Sequence, residues 1–526
     1  MKLYLVDFSI PETGDSWIYI LRGLGYSQGD YTATPFKTAG WPLFLSPFFA
    51  SIESNTYLDY LNIARIASIA ISLLTIIPVY LLARKFFDEK YSIVMSALFA
   101  FQPHLNFNSG FGYSEPLLIL ILVCAMVFLL RDKIDKYTYL SFLLVGLLWW
   151  SKMFGIIFIL VFTLCYFVHY KNSKGKIKNY IICLAVFLVI ISPILVERYE
   201  QYGNPIFYAG VHSDFVNTED LQQGQISTDI FSTDMDVENS FIYALKQPFY
   251  IWGVMAVPYL IILFPIGMFY SLRNIENKKR YFTSTWVLLI SSMIPPMVLF
   301  AAGYMESRTI FFCYPFLIIF ATLAIKKIIE TFNLKFIKNY SKHFLVFVMS
   351  LVVLSSVLVI HGVDEYGYGK PDTIKVNEIQ EYGKFLIHNL DGTMFWSKGV
   401  DSDWISVTMI QEANVNLKNY KVNPYFDYSF NMLKQFNPGA LHILNKGDLR
   451  GSSIEEIISK GEVLELKFIS VGDKNDNKFF DELYLNYNEY PYLHKIFDSE
   501  EQGFQNYKVK TFEIDYEKFY ELKALT

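Results

Sequence analysis

Ten apolar runs, separated by connections that alternate between rich and poor in Lys and Arg, constrain this chain more than any other feature of its sequence. They lie at roughly 62–83, 91–108, 113–130, 137–151, 153–170, 178–196, 250–272, 282–302, 308–326 and 341–362. A bilayer core of about 30 Å is crossed by about 20 apolar residues in helical conformation, so runs of this length predict membrane-spanning helices. Composition agrees. Hydrophobic residues make up 53% and charged residues 18% of the 526, and the mean hydropathy is +0.29, a balance foreign to a soluble domain of this size. The class is therefore a polytopic α-helical membrane protein in contact with membrane lipids. Cys124, Cys165, Cys183 and Cys313 all fall inside the runs, where they read as small packing residues rather than a disulfide framework. A net charge of -5 gives no footprint for nucleic acid.

Charge distribution orients the runs. The connections "RKFFDEK", "RDKIDK", "KNSKGKIK", "RNIENKKR" and "KKIIETFNLKFIKNYSK" hold 19 Lys and Arg, against seven in the intervening connections and the first 61 residues. The positive-inside rule assigns the rich set to the cytoplasm, which leaves the opening segment, the loop 197–249 and everything after residue 362 outside a plasma membrane. Ten spans with an outward C-terminus demand an outward N-terminus, so 61 residues would cross without a leader. The expectation is that a preceding helix is missing, and that eleven spans make the complete set.

Beyond the spans, 363–526 reads as a small extracytoplasmic α/β domain, and 1–362 as the membrane domain. "VNEIQEYGKFLIHNL" has helical spacing; "GTMFWSKG", "ALHILN" and "VLELKFISVG" read as strands. "SSIEEIISKG" has the Ser cap, acidic first turn and terminal Gly of a short helix. The outer loop carries seven carboxylates and no Lys or Arg within 214–239, too polar a stretch for lipid and one expected to stay mobile beside the site.

Ionisable residues close to short outer connections stand out because charge is costly at membrane depth and marks function there. They are Asp15, Arg65, His104, Glu115, Lys152, Glu306 and Arg308. Lys152 is the most informative: the run before it holds 15 residues and would rise only about 22 Å, which places the lysine below the surface. The competing reading is a lysine that snorkels to the headgroups. Carboxylates and cations arriving from distant elements suit a reaction in which an anionic leaving group departs while an acceptor hydroxyl loses its proton. Asp15 also fits as the cap of a helix starting at Ser16, Arg65 as a snorkelling residue, and His104, beside Pro103, as a packing residue. No His/Cys/Asp cluster has metal-site spacing.

The ordered segments "GDSWIYILRGL", "TAGWPLFLSPFF", "GFGYSEPLLILIL", "LLWWSKMFGIIFIL", "RYEQYGNPIF" and "ESRTIFFCYPFLIIF" resemble the GT-C superfamily of membrane glycosyltransferases over residues 1 to about 330. The nearest types are protein O-mannosyltransferase and aminoarabinose transferase. The resemblance implies a GT-C fold and transfer of a sugar, with inversion, from a polyprenyl (dolichyl- or undecaprenyl-type) monophosphate to a hydroxyl on protein, lipid or glycan. It implies Asp15 as the catalytic carboxylate, Glu115 as the acid of the second outer loop, and Lys152 and Arg308 as the basic positions; Arg65 and His104 are expected as further substrate contacts from their place near the outer connections alone. The lipid-linked sugar is then a co-substrate, no cofactor is expected, and a divalent metal stays open. Where the mannosyltransferases have adjacent Asp-Glu, this chain has Asp15-Ser16, which separates it from a protein-mannosylation label. A transporter or flippase, or an inactive scaffold that binds polyprenyl lipid, are the alternatives. Transporters place their sites near the midplane on broken helices in paired repeats, whereas here the charges gather at one face and no repeat is visible.

Overall fold

The computed structural model describes residues 2–11, 15–31, 39–54, 56–202, 253, 256–273, 278–293, 307–331, 341–362, 372–397, 399–412, 441–444, 449, 451–475 and 477–524. The acidic stretch 214–239 and Glu306 lie outside them. The chain forms two compact units: one of 1–7, 35–47 and 62–369, the other of 8–34, 48–61 and 370–526.

Helices dominate the first unit. In chain order the helices from the start of the chain are α1 (Asp15–Ser27), α2 (Gly40–Ala50), α3 (Tyr57–Leu74), α4 (Ile76–Phe86), α5 (Glu89–Ala100), α6 (Pro103–Asn108), α7 (Glu115–Leu129), α8 (Lys136–Ser151), α9 (Phe158–His169) and α10 (Lys176–Tyr202). They continue with α11 (Leu260–Arg273), α12 (Lys279–Ser292), α13 (Tyr314–Thr331) and α14 (Ser341–Gly362). Among the described residues, three segments are long and apolar enough to cross a membrane: Tyr57–Phe86, Lys176–Glu197 and Ile310–Glu330. Shorter apolar helices cover Glu115–Leu129, Gly155–His169, Leu260–Leu272 and Leu345–Ile360. The run expected at 91–108 is broken. Phe101 and Gln102 leave the helix, and Pro103, which lacks an N–H, opens α6 at a position where none is needed.

Packing runs α7 against α8, α8 against α10, α9 against α12, and α11 against α13. Gly267 makes the last pair possible, since a Cβ there would stand 1.8 Å from the Phe320 carbonyl oxygen. Polar residues within the apolar helices bond back to their own backbone: Ser96 to Ser92 O, Thr285 to Tyr281 O, and Thr322 to Ile318 O. That removes the cost of carrying a hydroxyl through an apolar interior. The four cysteines are free, and Cys165, Cys183 and Cys313 are buried, as packing residues would be.

The second unit holds α1 and an α/β fold whose strands are β1 (Thr393–Trp396), β2 (His442–Leu444), β3 (Leu466–Gly472), β4 (Leu493–Asp498) and β5 (Val509–Ile514). Sheet order is β2-β1-β3-β5-β4, with β2, β1 and β3 parallel and the last two pairings antiparallel. The helices around it are α15 (Thr373–Asn389), α16 (Ser402–Glu412), α17 (Ile454–Gly461), α18 (Lys478–Leu485) and α19 (Tyr516–Lys523). Ser453 caps α17 by accepting from the Glu456 N–H, as its sequence predicts. Ile469, Val471 and Phe512 fill the sheet core. On the opposite face of the sheet, Tyr382 Oη closes a triangle with Ser470 Oγ (2.7 Å) and Thr511 Oγ1 (2.6 Å). Buried Glu378 accepts from the backbone N–H groups of Gln505 (2.6 Å), Asn506 (2.9 Å) and Tyr507 (2.7 Å).

Candidate active site

The first-unit residues with chemistry gather around the start of α7. A 3-10 turn at Ser109–Phe111 ends on Gly112, whose φ of +76° suits glycine and redirects the chain into Tyr113-Ser114-Glu115-Pro116. Proline near the first helical position and an acid in the first turn are what a helix start favours, because the former loses no hydrogen bond and the latter meets the positive end of the dipole. Two side chains from earlier in the chain pin this turn. Trp41 Nε1 donates to Gly112 O at 2.7 Å, and Ser68 Oγ donates to Tyr113 O at 3.5 Å.

Lys152 arrives from the other side. It terminates α8 with an extended backbone (φ -150°, ψ 143°), and a 3-10 turn, Met153–Ile157, follows before α9. Gly40, at the head of α2, presses on this break: a Cβ there would stand 2.5 Å from Trp150 O. The geometry sets Lys152 Nζ 2.9 Å from Glu115 Oε1, with the lysine side chain 17% and the carboxylate 2% exposed. Arg308, in the 3-10 turn Ser307–Cys313 ahead of α13, completes the group. Its Nη1 lies 3.9 Å from the same Oε1, and its guanidinium sits 4.4 Å from the centre of the Tyr113 ring. The lysine therefore turns inward to a carboxylate instead of snorkelling outward.

Glu115 Oε2 is buried and has no hydrogen-bond partner among the described residues. An ionised carboxylate is expensive to bury and needs its charge met, which two cations on one oxygen accomplish. Among the described residues, two cations thus share one carboxylate oxygen and Oε2 is left as an open acceptor. Such a site can take an anion on the cations and a hydroxyl on the carboxylate.

The other sequence candidates stand elsewhere. Arg65 is buried in α3, where Nη1 donates to Asp7 O and Asn62 Oδ1, each at 3.1 Å, so the snorkelling expectation is replaced by an interior tie. His104, fully buried, lies roughly parallel to the Tyr314 ring at 6.2 Å. Asp15 begins α1 in the second unit, one residue earlier than the helix start expected at Ser16. Tyr113, Trp41 and Gly40 were not among the candidates. Tyr113 had a signal, an aromatic two residues before an acid at a helix start.

Residues 46–196, which contain both Glu115 and Lys152, match the family profile described as dolichyl-phosphate-mannose-protein mannosyltransferase. No curated protein sequence matches. Among solved structures, the oligosaccharyltransferase of Archaeoglobus fulgidus, in a complex with zinc and sulfate, superposes with a TM-score of 0.53 at 13% identity, over 90% of this chain and 65% of that one. This chain thus spans just under two thirds of the archaeal enzyme's length. ArnT from Cupriavidus metallidurans, bound to undecaprenyl phosphate, superposes with a TM-score of 0.52 at 12% identity, over 97% of this chain and 95% of that one. The chain shares its fold with both enzymes. The zinc in the archaeal structure raises the question of a metal here. Among the described residues no three His, Cys, Asp or Glu come together, and Glu115 already has two cations beside it, so this cluster does not fit a divalent ion.

Proposed function

We propose that the chain is a membrane glycosyltransferase that moves a sugar from a polyprenyl monophosphate to a hydroxyl acceptor on the extracytoplasmic side. The observation that carries this reading is the meeting of Lys152 and Arg308 at a buried Glu115 within a GT-C fold. As the bond between the anomeric carbon and the phosphate oxygen breaks, charge accumulates on the phosphate. Lys152 and Arg308 supply preorganised positive charge for it. The acceptor oxygen forms the new bond to the anomeric carbon with inversion, and its proton passes to Asp15 as general base. Glu115 keeps the two cations in place and offers Oε2 to a hydroxyl of sugar or acceptor, while Arg65 and His104 support the site from within the helix bundle. Support for a lipid donor comes from the relatives: ArnT holds undecaprenyl phosphate, and the archaeal AglB has been captured with an inhibitory peptide and a dolichol-phosphate.

In this reading the chain sits in the plasma membrane with ten spans. The domain 363–526 and the loop 197–249 face outward and select the protein, lipid or glycan acceptor, while 1–362 holds the donor. The test is a panel of radiolabelled polyprenyl-phosphate sugars offered to the purified full chain and to Asp15→Asn. Transfer of one sugar by the wild type, lost in the variant while the donor still binds, is the expected result. Full activity in Asp15→Asn removes that residue from the chemistry, and absence of both binding and transfer across the panel overturns the reading.

A further inference from the structure

A second gathering of cations lies at the Lys- and Arg-rich connections, where α4 ends, α7 passes to α8, and α12 begins. Two of its members are already matched. Arg131 Nε pairs with Asp135 Oδ2 at 2.9 Å and stands over the Tyr137 ring, while Arg280 Nη2 meets Asp132 Oδ1 at 2.9 Å. Tyr281 Oη donates to that same aspartate oxygen at 2.7 Å. Both carboxylates are thereby committed.

Lys85 and Lys278 are different. Both are half-buried, and among the described residues neither has a carboxylate within ion-pair distance. Lys85 lies in the field of Arg131 and Lys278 as well as of the two aspartates, and Lys278 Nζ stands 5.1 Å from the centre of the Tyr281 ring. The start of α12 adds to the imbalance. Its cap is Lys278, followed by Lys279 and Arg280, with no acid in the first turn. A helix N-terminus is the positive end of the dipole and favours anions, and a lysine has no acceptor with which to cap it. Among the described residues, five cations (Lys85, Arg131, Lys278, Lys279 and Arg280), two carboxylates (Asp132 and Asp135) and a helix start without a side-chain cap leave a concentrated positive potential. The base beneath is fixed, because Arg131 O accepts from His169 Nε2 (3.0 Å), whose Nδ1 lies 2.9 Å from Ser284 Oγ. The helices that lead to the cluster carry apolar side chains to the outside, Ile77 and Leu81 on α4 and Phe269 and Leu272 on α11.

We propose that this cluster binds the headgroup phosphate of an anionic glycerophospholipid, with Lys85, Lys278 and the first turn of α12 as its contacts and the exposed apolar side chains as the bed for its acyl chains. The site is separate from the one built on Glu115. An amphiphile fits better than free phosphate because Lys85 and the exposed Ile77 and Leu81 lie on one helix, α4.

The experiment is native mass spectrometry of the detergent-purified full chain exchanged into mixed micelles of phosphatidylglycerol and phosphatidylcholine. Wild type should retain phosphatidylglycerol preferentially. Lys85→Gln and Lys278→Gln should each reduce that retention about fivefold, and the double variant about 25-fold. Lys152→Ala should leave it unchanged, which separates this site from the proposed donor site. Equal retention of the two lipids, or undiminished phosphatidylglycerol in Lys85→Gln, overturns the proposal. Displacement of the lipid by millimolar inorganic phosphate overturns the assignment to a lipid. If the double variant does not fold, the two single variants decide.

Discussion

Glu115 in the first unit and Glu378 in the second are both buried carboxylates, yet their charges are met by opposite means. Three backbone N–H groups close around Glu378 and fill both its oxygens. Glu115 has two side-chain cations on one oxygen and nothing, among the described residues, on the other. Backbone amides belong to the fold and cannot leave. Lysine and arginine side chains can turn to an incoming phosphate and return afterwards. A carboxylate held by amides is therefore a structural tie, whereas one held by movable cations with an open acceptor is suited to binding.

The strongest way to break this comparison is to remove a cation. Lys152→Ala should lower sugar transfer by about 10²-fold or more, since a charge aimed at the leaving group is lost. Lys152→Arg should keep a large part of it. Binding of sugar-free polyprenyl phosphate, measured on both variants, checks the cause: unchanged affinity in Lys152→Ala would make the lysine only a counter-ion for Glu115. Next comes the exchange of the two acids. Glu378→Gln sets an amide N–H₂ against backbone donors and should destabilise the protein by about 2–3 kcal/mol without altering donor affinity. Glu115→Gln should do the reverse, with transfer impaired more than thermal stability. Similar behaviour of the two variants in paired melting and transfer assays would erase the distinction.

A smaller effect is expected from Tyr113→Leu, which removes the ring beneath Arg308. A partly desolvated cation–π contact contributes about 1 kcal/mol, so donor affinity should fall about fivefold. No loss would mean that the Tyr113 ring does not position the guanidinium. The smallest expected effect is that of EDTA, because the described cluster pairs its carboxylate with cations. Inactivation reversed by manganese or magnesium would place a metal elsewhere in the site.

Much of the candidate site was legible in the chain, and for a specific reason. Glu115, Lys152 and Arg308 each stand beside a helix-breaking signal near an apolar run, where a charge has no packing role to explain it. Arg65 and His104 stand in similar places, but interior ties to Asp7 O and Asn62 and a neighbouring Tyr314 ring occupy them. Nothing local distinguishes a buried arginine that holds a backbone carbonyl from one that reaches the headgroups. In the second unit, β1, β2 and β3 were readable from β-branched and aromatic runs bounded by turns. β4, "LHKIFD", and β5, "VKTFEI", have their alternation masked by lysines, Lys495 and Lys510, that pair with Asp498 and cover tyrosine rings.

The sequence by itself determined the helical membrane character, the alternation of charge between connections, the capped helix at 454–461 and the presence of an α/β fold near the end. These depend on period, composition and neighbouring residues, which are local properties. Only the tertiary structure decided that Lys152 turns to Glu115, that Arg308 lies on Tyr113, and that Trp41 holds the turn between α6 and α7. Each of those contacts joins segments far apart in the chain, and which side chains meet is set by how closely the helices pack, as at Gly40 and Gly267, where even one methyl group would not fit.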